Sequence, residues 1–388
     1  MLLPKTIRSI KRVIPFGALW FIFSLIYVML EKGIIGNMDH YPSTGVNYNF
    51  ARNFFFIPLS GLIMGLFTGI LEINYFSKWF IKNCFAKKIL FKSLIYLVIV
   101  IVFLVIITFI NTLYTYNVHS IKSLASPAWA FFTDYAVIGI IVYIAAIIVI
   151  TQLYAEFSQS IGVSTLSNFF LGKYHHPVEE ERIFMFLDMK SSTTIAEKLG
   201  HVTYFQMLRE YFSDLSIAVI DYTGTIYQYA GDEMIITWKV KDGLKNNNCV
   251  ECFFAMKRAL ENQAEKYNNQ FGLLPGFKAG VHCGRVTAGE IGSLKKEIIF
   301  TGDVLNTAAR IQGLCNNYHA DLLVSDELAQ ILQLSANYAI KSVGDTHLKG
   351  RSKPMKLFAI SIAHLVRHWA KVAWFKVSAV SIETTATD

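Results

Sequence analysis

Apolar residues follow two patterns along this chain. Over the first 155 positions they run on without charge: Val13 to Leu30, Asn53 to Leu71, Ser93 to Ile121 and Tyr135 to Ala155 contain no Asp, Glu, Lys or Arg. Each run holds an apolar core near the roughly 20 residues a helix needs to cross a bilayer, so the pattern predicts four spanning helices. A buried core helix is the other reading of any single run, but four in one half leave little polar surface to cover them. From about Gln152 to Gly172 the spacing of Tyr154, Phe157, Ile161, Val163, Leu166, Phe169 and Phe170 is roughly helical and continues the fourth span as a linker. A paired stalk in a dimer and a helix that caps the following domain both fit that stretch. His175-His176-Pro177 and the acidic run Glu179 to Glu181 then break the pattern.

The rest of the chain alternates strand-like and helix-like periods. Arg182 to Met189 reads as a buried strand, and Ser191 to Leu199 and Tyr204 to Asp221 as helices. Thr225 to Ala230 and Met234 to Trp238 form a hairpin that turns at Gly231-Asp232-Glu233. Asn246 to Asn248 offers an N-cap for one helix over Cys249 to Tyr267. Strands follow at Phe277 to Cys283, Thr287 to Ile291 and Glu297 to Phe300, then a helix over Val304 to Cys315. Strands at Leu322 to Val324 and Met355 to Ile360 close the domain. The expected organisation is a four-helix transmembrane domain over 1–155, a helical linker over 156–178, a folded domain over 179–362 and a tail over 363–388.

Composition agrees with a membrane protein. Of 388 residues, 53% are hydrophobic and 16% charged, and the mean hydropathy is +0.40, too apolar for an ordinary soluble chain. Lys5, Arg8, Lys11 and Arg12 precede the first span, and Lys78, Lys82, Lys87, Lys88 and Lys92 lie between the second and third. The other loops carry only Lys32 with Arg52, and Lys122. The positive-inside rule therefore predicts both termini on the cytoplasmic side. No convincing small-residue cleavage site follows the first apolar run, which reads as an anchor. Trp20, Trp79 and Trp129 suit membrane interfaces, and Glu72 and Asp134 read as interfacial span ends rather than an ion pathway.

The net charge of +8 includes this topological lysine and does not argue for nucleic-acid binding. Five cysteines, an odd number, suggest free thiols. Cys249 and Cys252 form a lone CxxC that reads better as the start of a core-packing helix than as a metal site. The tail, with His364, Arg367, His368, Trp369, Lys371 and Lys376 among apolar residues, suits a basic amphipathic helix or an unstructured end.

Three short stretches carry candidate chemistry. Asp188 ends the apolar strand Ile-Phe-Met-Phe-Leu-Asp, where it caps the next helix or ligates a cation at the strand end. Asp232 sits at a hairpin tip, where a solvated turn aspartate is the ordinary explanation. Asn306 and Arg310 lie four apart on one face of an otherwise apolar helix, after the turn Gly302-Asp303. A polar pair on the buried side of such a helix needs a partner.

Phe-Leu-Asp188-Met-Lys-Ser-Ser, Gly231-Asp232-Glu and Gly302-Asp303-x-x-Asn306-x-x-x-Arg310, in this order from about Arg182 to Ile360, resemble the signature of the class III nucleotidyl (adenylate/guanylate) cyclases. The resemblance implies a ferredoxin-like α+β palm acting as a head-to-tail homodimer, with sites at the interface that convert a nucleoside triphosphate to a cyclic nucleotide and pyrophosphate. Two Mg²⁺ or Mn²⁺ ions would be held by Asp188, Asp232 and the backbone carbonyl of Met189, with Ser191, Ser192 and Thr193 near the phosphates. Asn306 and Arg310 of the second protomer would orient the ribose and stabilise charge at the α-phosphate. Arg351, with Lys349, matches the segment that contacts the terminal phosphates.

Cyclisation needs an acidified 3′-hydroxyl and charge compensation on the phosphates, which metals and a fixed guanidinium supply. No covalent nucleophile is required, and His282, His175 and His176 read as structural. At the base-contacting positions Gln228 stands where adenylate cyclases of the family usually carry lysine and guanylate cyclases glutamate. Ile299 replaces Asp or Thr, or Cys, and cannot hydrogen-bond a base edge. ATP is the expected substrate in a signalling role at the cell membrane. GTP or a pyrimidine triphosphate, or a silent sensor with a cyclase fold, are the alternatives.

Overall fold

A computed structural model of the chain describes residues 4–42, 47–76, 79–80, 84–116, 135–348 and 354–363. Two compact units result, Met1–Leu171 and Gly172–Asp388. Lys349, Arg351, Trp129, Asp134 and the tail from His364 lie outside the described residues.

The first unit is helical. Its long helices are α1 (Pro4–Ile35), α2 (Phe50–Leu71, running on into a π-helical turn at Glu72–Phe76), α3 (Phe85–Tyr116) and α4 (Tyr135–Ile161). All four are long and apolar enough to cross a membrane. Ile22, Phe55, Val98 and Val142 are exposed on their outer faces, as a lipid-facing surface requires. Between α1 and α2 the contact is made by small residues: Gly61, Gly65 and Gly69 recur every fourth position and face Phe16, Gly17, Trp20 and Ser24. A Cβ on Gly65 would stand 2.6 Å from the Phe16 carbonyl oxygen, so the helices touch backbone to backbone.

Three expectations are corrected here. Trp20 is not interfacial: it lies mid-helix and buried, pressed against the glycine seam. Glu72 is no solvated span end, because it faces inward and is paired with Lys92 and Tyr96. Nor does the fourth span continue smoothly, since Gly162 at φ 91° ends α4 and α5 (Val163–Phe170) starts anew.

The second unit is built around β1 (Val178–Met189). After it come α6 (Ser192–Leu199), α7 (His201–Asp221), β2 (Thr225–Ala230), β3 (Glu233–Lys239), α8 (Val240–Leu244), α9 (Asn248–Glu261) and α10 (Ala264–Phe271). Then follow β4 (Phe277–Ile291), β5 (Glu297–Thr301), α11 (Asp303–Gly313), β6 (Leu322–Ser325), α12 (Asp326–Ala329), β7 (Tyr338–Thr346) and β8 (Met355–Ile362). The sheet order is β2-β3-β1-β4-β6-β8-β7, with β5 paired to the second half of β4. Within it β2-β3-β1-β4 is the antiparallel ferredoxin-like arrangement, so the expected α+β palm is present.

Both faces of β1 are covered, which is why Ile183 to Leu187 are all buried. Ile183, Met185, Leu187 and Met189 pack toward α7, α9 and α10, whereas Phe184 and Phe186 pack toward α11.

The elements depart from the sequence reading where tertiary pairing takes over. Strand β1 starts before the acidic run, because Glu180 is held by Lys173, Tyr174 and Arg182. The helix expected over 249–267 is two, and Asn247 bonds the Gln333 backbone instead of capping. Strand β4 runs unbroken through Gly284, which stays in register with Arg182. Strand β7, absent from the sequence reading, is an edge strand held by β8.

Two predictions follow from this packing. Gly65→Ala lowers the thermal midpoint of the solubilised protein, by about 1–3 kcal/mol of overpacking, whereas Gly139→Ala, in open space, leaves it unchanged. Burial alone would raise the Glu180 carboxyl, but hydrogen bonds from Lys173 and Arg182 outweigh it and hold the group down at about 2 against 4.5. A depressed carboxylate stabilises the fold above about pH 4.5 and loses that contribution as pH falls toward about 2. Unfolding scans of Glu180→Gln against wild type therefore converge below that window and separate above it.

Candidate active site

Strand pairing brings the two aspartates together. Asp188 is the last even-numbered residue of β1, so it points to the face that carries Phe184 and Phe186 and looks toward α11. In register it lies opposite Glu233 of β3 and Lys278 of β4. Asp232 occupies the turn just before Glu233, which delivers its carboxylate beside Asp188. Burial raises the Asp188 carboxyl, the neighbouring Asp232 charge raises it further, and Lys278 partly offsets both. Glu233 is pushed up to about 7 by burial, then by Asp188 and Asp232. Like charges gathered in a half-buried site create a demand for a cation.

Among the described residues no three His, Cys, Asp or Glu side chains are placed to hold a metal ion together. Two carboxylates are what the site offers, a donor set of hard oxygens. Mg²⁺ and Mn²⁺ sites of that kind take their remaining ligands from water and substrate phosphates rather than from an all-protein cage.

The turn after Asp188 is pinned. The Lys190 amide donates to the Gly276 carbonyl at 2.9 Å, and its ammonium bonds Asp321, which Lys257 also holds at 2.8 Å. Ser191 adopts φ 55°, an uncommon left-handed conformation for serine, and opens α6 with Ser192 and Thr193. Ser191 and Thr193 are exposed and Ser192 half-buried, so the start of α6 is open to solvent.

Helix α11 reaches the same place because β4 gives it room. At Gly280 a Cβ would stand 2.2 Å from the Gln312 amide nitrogen and 2.6 Å from the Ala308 carbonyl oxygen. This approach lets the Gln312 side-chain amide donate to Asp188 Oδ2 at 2.9 Å, and Lys278 Nζ stands 3.4 Å from the same oxygen. The sequence reading missed both groups. Their signal was visible: a lysine inside an apolar strand, and a glutamine one residue past Ile311 on the buried side of α11.

Asn306 and Arg310 correct the expectation of a buried polar pair. The buried side of α11 is Val304, Thr307, Ala308, Ile311 and Gln312. Asn306 is exposed and Arg310 half-buried, and neither side chain has a hydrogen bond or ion pair with the described residues. Gln228 is exposed and Ile299 half-buried. Their neighbours Tyr227 and Phe300 pack with ring centroids 5.2 Å apart, both against Phe184, which brings the two positions to one region of the sheet. The Arg182 guanidinium stacks over Phe300 at 4.5 Å and supports this layer from beneath.

The remaining candidates are structural. His282 Nδ1 pairs with Ser325 Oγ at 2.8 Å, and the His175 and His176 rings pack on each other. All five cysteines are free, and Cys249 and Cys252 are fully buried in the core, as the start of a core-packing helix would be.

The adenylate and guanylate cyclase catalytic domain family matches residues 175–361. Adenylate cyclase 2 of Rhizobium meliloti is 30% identical over 205 residues, which cover 53% of this chain and 56% of that protein. Adenylate cyclase 1 of the same organism is 30% identical over 189 residues, covering 47% of this chain and 27% of that one. The chain thus spans about half, or less, of the length of these relatives. Among solved structures, the adenylyl cyclase CyaB from P. aeruginosa is 19% identical, covers 48% of this chain and 97% of its own, and superposes with a TM-score of 0.43. Residues 175–361, just under half of the chain, thus match the adenylate and guanylate cyclase catalytic domain family.

Proposed function

We propose that the protein is a membrane-anchored adenylate cyclase that converts ATP to 3′,5′-cyclic AMP and pyrophosphate and acts in signal transduction. The observation that carries this reading is the convergence of Asp188 and Asp232 from a strand end and a hairpin turn into one anionic, half-buried pocket. Two Mg²⁺ or Mn²⁺ ions would be held there by the two aspartates, with the Met189 carbonyl, water and triphosphate oxygens completing the shell. When bound, such ions acidify the ribose 3′-hydroxyl and neutralise the triphosphate.

The 3′-oxygen attacks the α-phosphorus in line, the bond to the β-phosphate oxygen breaks, pyrophosphate departs and the hydroxyl proton passes to solvent. The chain's own groups orient this event. Lys278 and Gln312 hold Asp188 in place, and the backbone amides that open α6, around Ser191, Ser192 and Thr193, would donate to phosphate oxygens.

Asn306 and Arg310 point outward from α11, which suits action on the site of a second protomer in a homodimer: Asn306 orients the ribose and Arg310 steadies charge at the α-phosphate. Arg351 and Lys349 are assigned to the terminal phosphates by resemblance alone. In this reading the protein is anchored in a bilayer, which its four long apolar helices support, and the lysine distribution favours both termini and the cyclase domain on the cytoplasmic side, where nucleoside triphosphates are found. Nucleic acid is not a partner in this reading.

A second reading has a specific basis. Gln228 can donate or accept, and Ile299 offers no hydrogen bond, so this pair does not select adenine by polar contact. A cyclase for GTP or a pyrimidine triphosphate uses the same phosphate chemistry.

Incubating the purified full-length protein with each of four nucleoside triphosphates and Mn²⁺ decides between them. Cyclic AMP as the main product is expected; cyclic UMP, CMP or GMP without cyclic AMP transfers the assignment to that base, and no product from any of them removes the enzyme reading. Asp188→Ala and Arg310→Ala should each lower turnover by roughly 100-fold or more with the fold intact. Co-expressed, the two inactive chains should recover about a quarter of wild-type turnover on random pairing, because one site per heterodimer is whole. Verified heterodimers without recovery would place the site within one chain.

A further inference from the structure

The membrane unit buries ion pairs that no step of the cyclase reaction uses. Lys92 Nζ of α3 lies 2.6 Å from Glu72 Oε1 and 2.9 Å from Glu156 Oε1, with the three side chains 1%, 1% and 5% exposed. The Tyr96 hydroxyl donates to the other Glu72 oxygen at 3.0 Å. Glu72 sits in the π-helical turn that ends the second span, and Glu156 is the sole charged residue of α4. Arg12 of α1 borders the same small cavity as Glu72, so all four spans meet at this level.

Stability does not account for the cluster. Buried ion pairs cost desolvation, and well-packed apolar residues in their place are often neutral or stabilising. Charges within spans are expensive and tend to mark function. The geometry also contains a second seat. Lys88 lies four residues before Lys92 on α3, about one 5.4 Å turn away, and its ammonium is already 3.6 Å from Glu156 Oε2. Glu156 thus stands between two lysines on one helix face. If it leaves Lys92 for Lys88, Lys92 keeps Glu72, so no charge is stranded in either arrangement. The carboxylate already bridges both lysines, so a shift of much less than a turn closes it fully onto one or the other, and elements with two satisfied arrangements are a known basis of switching.

We infer that Glu156 is a register latch: α4 shifts along α3 as Glu156 exchanges Lys92 for Lys88, and the shift sets cyclase output. The covalent path is short, since α4 ends five residues after Glu156 and continues through Gly162 and α5 to β1, whose far end bears Asp188. This inference rests on the cyclase reading for its output, but the latch itself has an independent readout.

The test uses the full chain in lipid nanodiscs. Lys88→Met leaves only the Lys92 seat, and Glu72→Gln/Lys92→Met leaves only the Lys88 seat without an orphaned carboxylate. Turnover is measured with whichever triphosphate the wild type uses. In parallel, disulfide formation is followed between Phe85→Cys and Phe157→Cys, whose rings lie 6.0 Å apart, in a Cys84→Ser background. The latch predicts that the two seat variants move turnover in opposite directions from wild type, by about fivefold, and move the cross-linking rate in opposite directions too. The neutral triple variant Glu72→Gln/Lys92→Met/Glu156→Gln should fold with an undiminished thermal midpoint and should not respond to added Lys88→Met. Any other pattern overturns the latch, including equal turnover in both seat variants, shifts of the same sign, or a fall in thermal midpoint alone. Absence of product from every triphosphate in the wild type sinks the cyclase reading, while the cross-linking arm still decides the latch.

Discussion

The placement of β1 between β3 and β4 is the constraint from which the rest of the second unit follows. Both neighbours are antiparallel, and their registers put Glu233 and Lys278 on either side of Asp188. Both faces of β1 are buried, so a slip of one residue would exchange the two hydrophobic layers and turn Asp188 away from α11. Packing of Phe184 and Phe186 on one face and of Met185 and Leu187 on the other therefore fixes where a carboxylate emerges. The anionic site at the end of β1 is a consequence of hydrophobic register as much as of charge.

The chain treats buried charge in two opposite ways. In the membrane unit Glu72 and Glu156 each have an ammonium partner within a few ångströms, so that cluster is compensated from within. At the end of β1, Asp188, Asp232 and Glu233 crowd together with Lys278 as partial compensation. An incompletely balanced anionic site is unfavourable until a cation arrives, which is the property a phosphoryl-transfer site needs. Close approach of backbones supports both arrangements, at the Gly61-Gly65-Gly69 seam for the helices and at Gly280 for α11.

Much of this was legible in the chain because local signals were strong and agreed. Four charge-free runs have few readings other than spans, and the hairpin around Gly231-Asp232 has unambiguous turn chemistry. The failures share a cause: each is a place where a distant partner overrode local preference. Glu180 joined a strand because Lys173 and Arg182 neutralise it. Asn247 left its cap role for Gln333, 86 residues away. Glu72 became buried because Lys92 and Tyr96 meet it inside the bundle.

By itself the sequence determined the element types, the apolar spans, the order of the charged motifs and the family they resemble. These depend on periodicity and on residues near one another along the chain, which propensity and solvation control locally. Only the tertiary structure decided which face Asn306 and Arg310 occupy, that Gln312 and Lys278 hold Asp188, and that one lysine serves two carboxylates from different helices. Those facts arise from sheet register and helix packing, where residues from different elements, as far apart as Asp188 and Gln312, come within hydrogen-bond distance, and no local pattern encodes such a meeting.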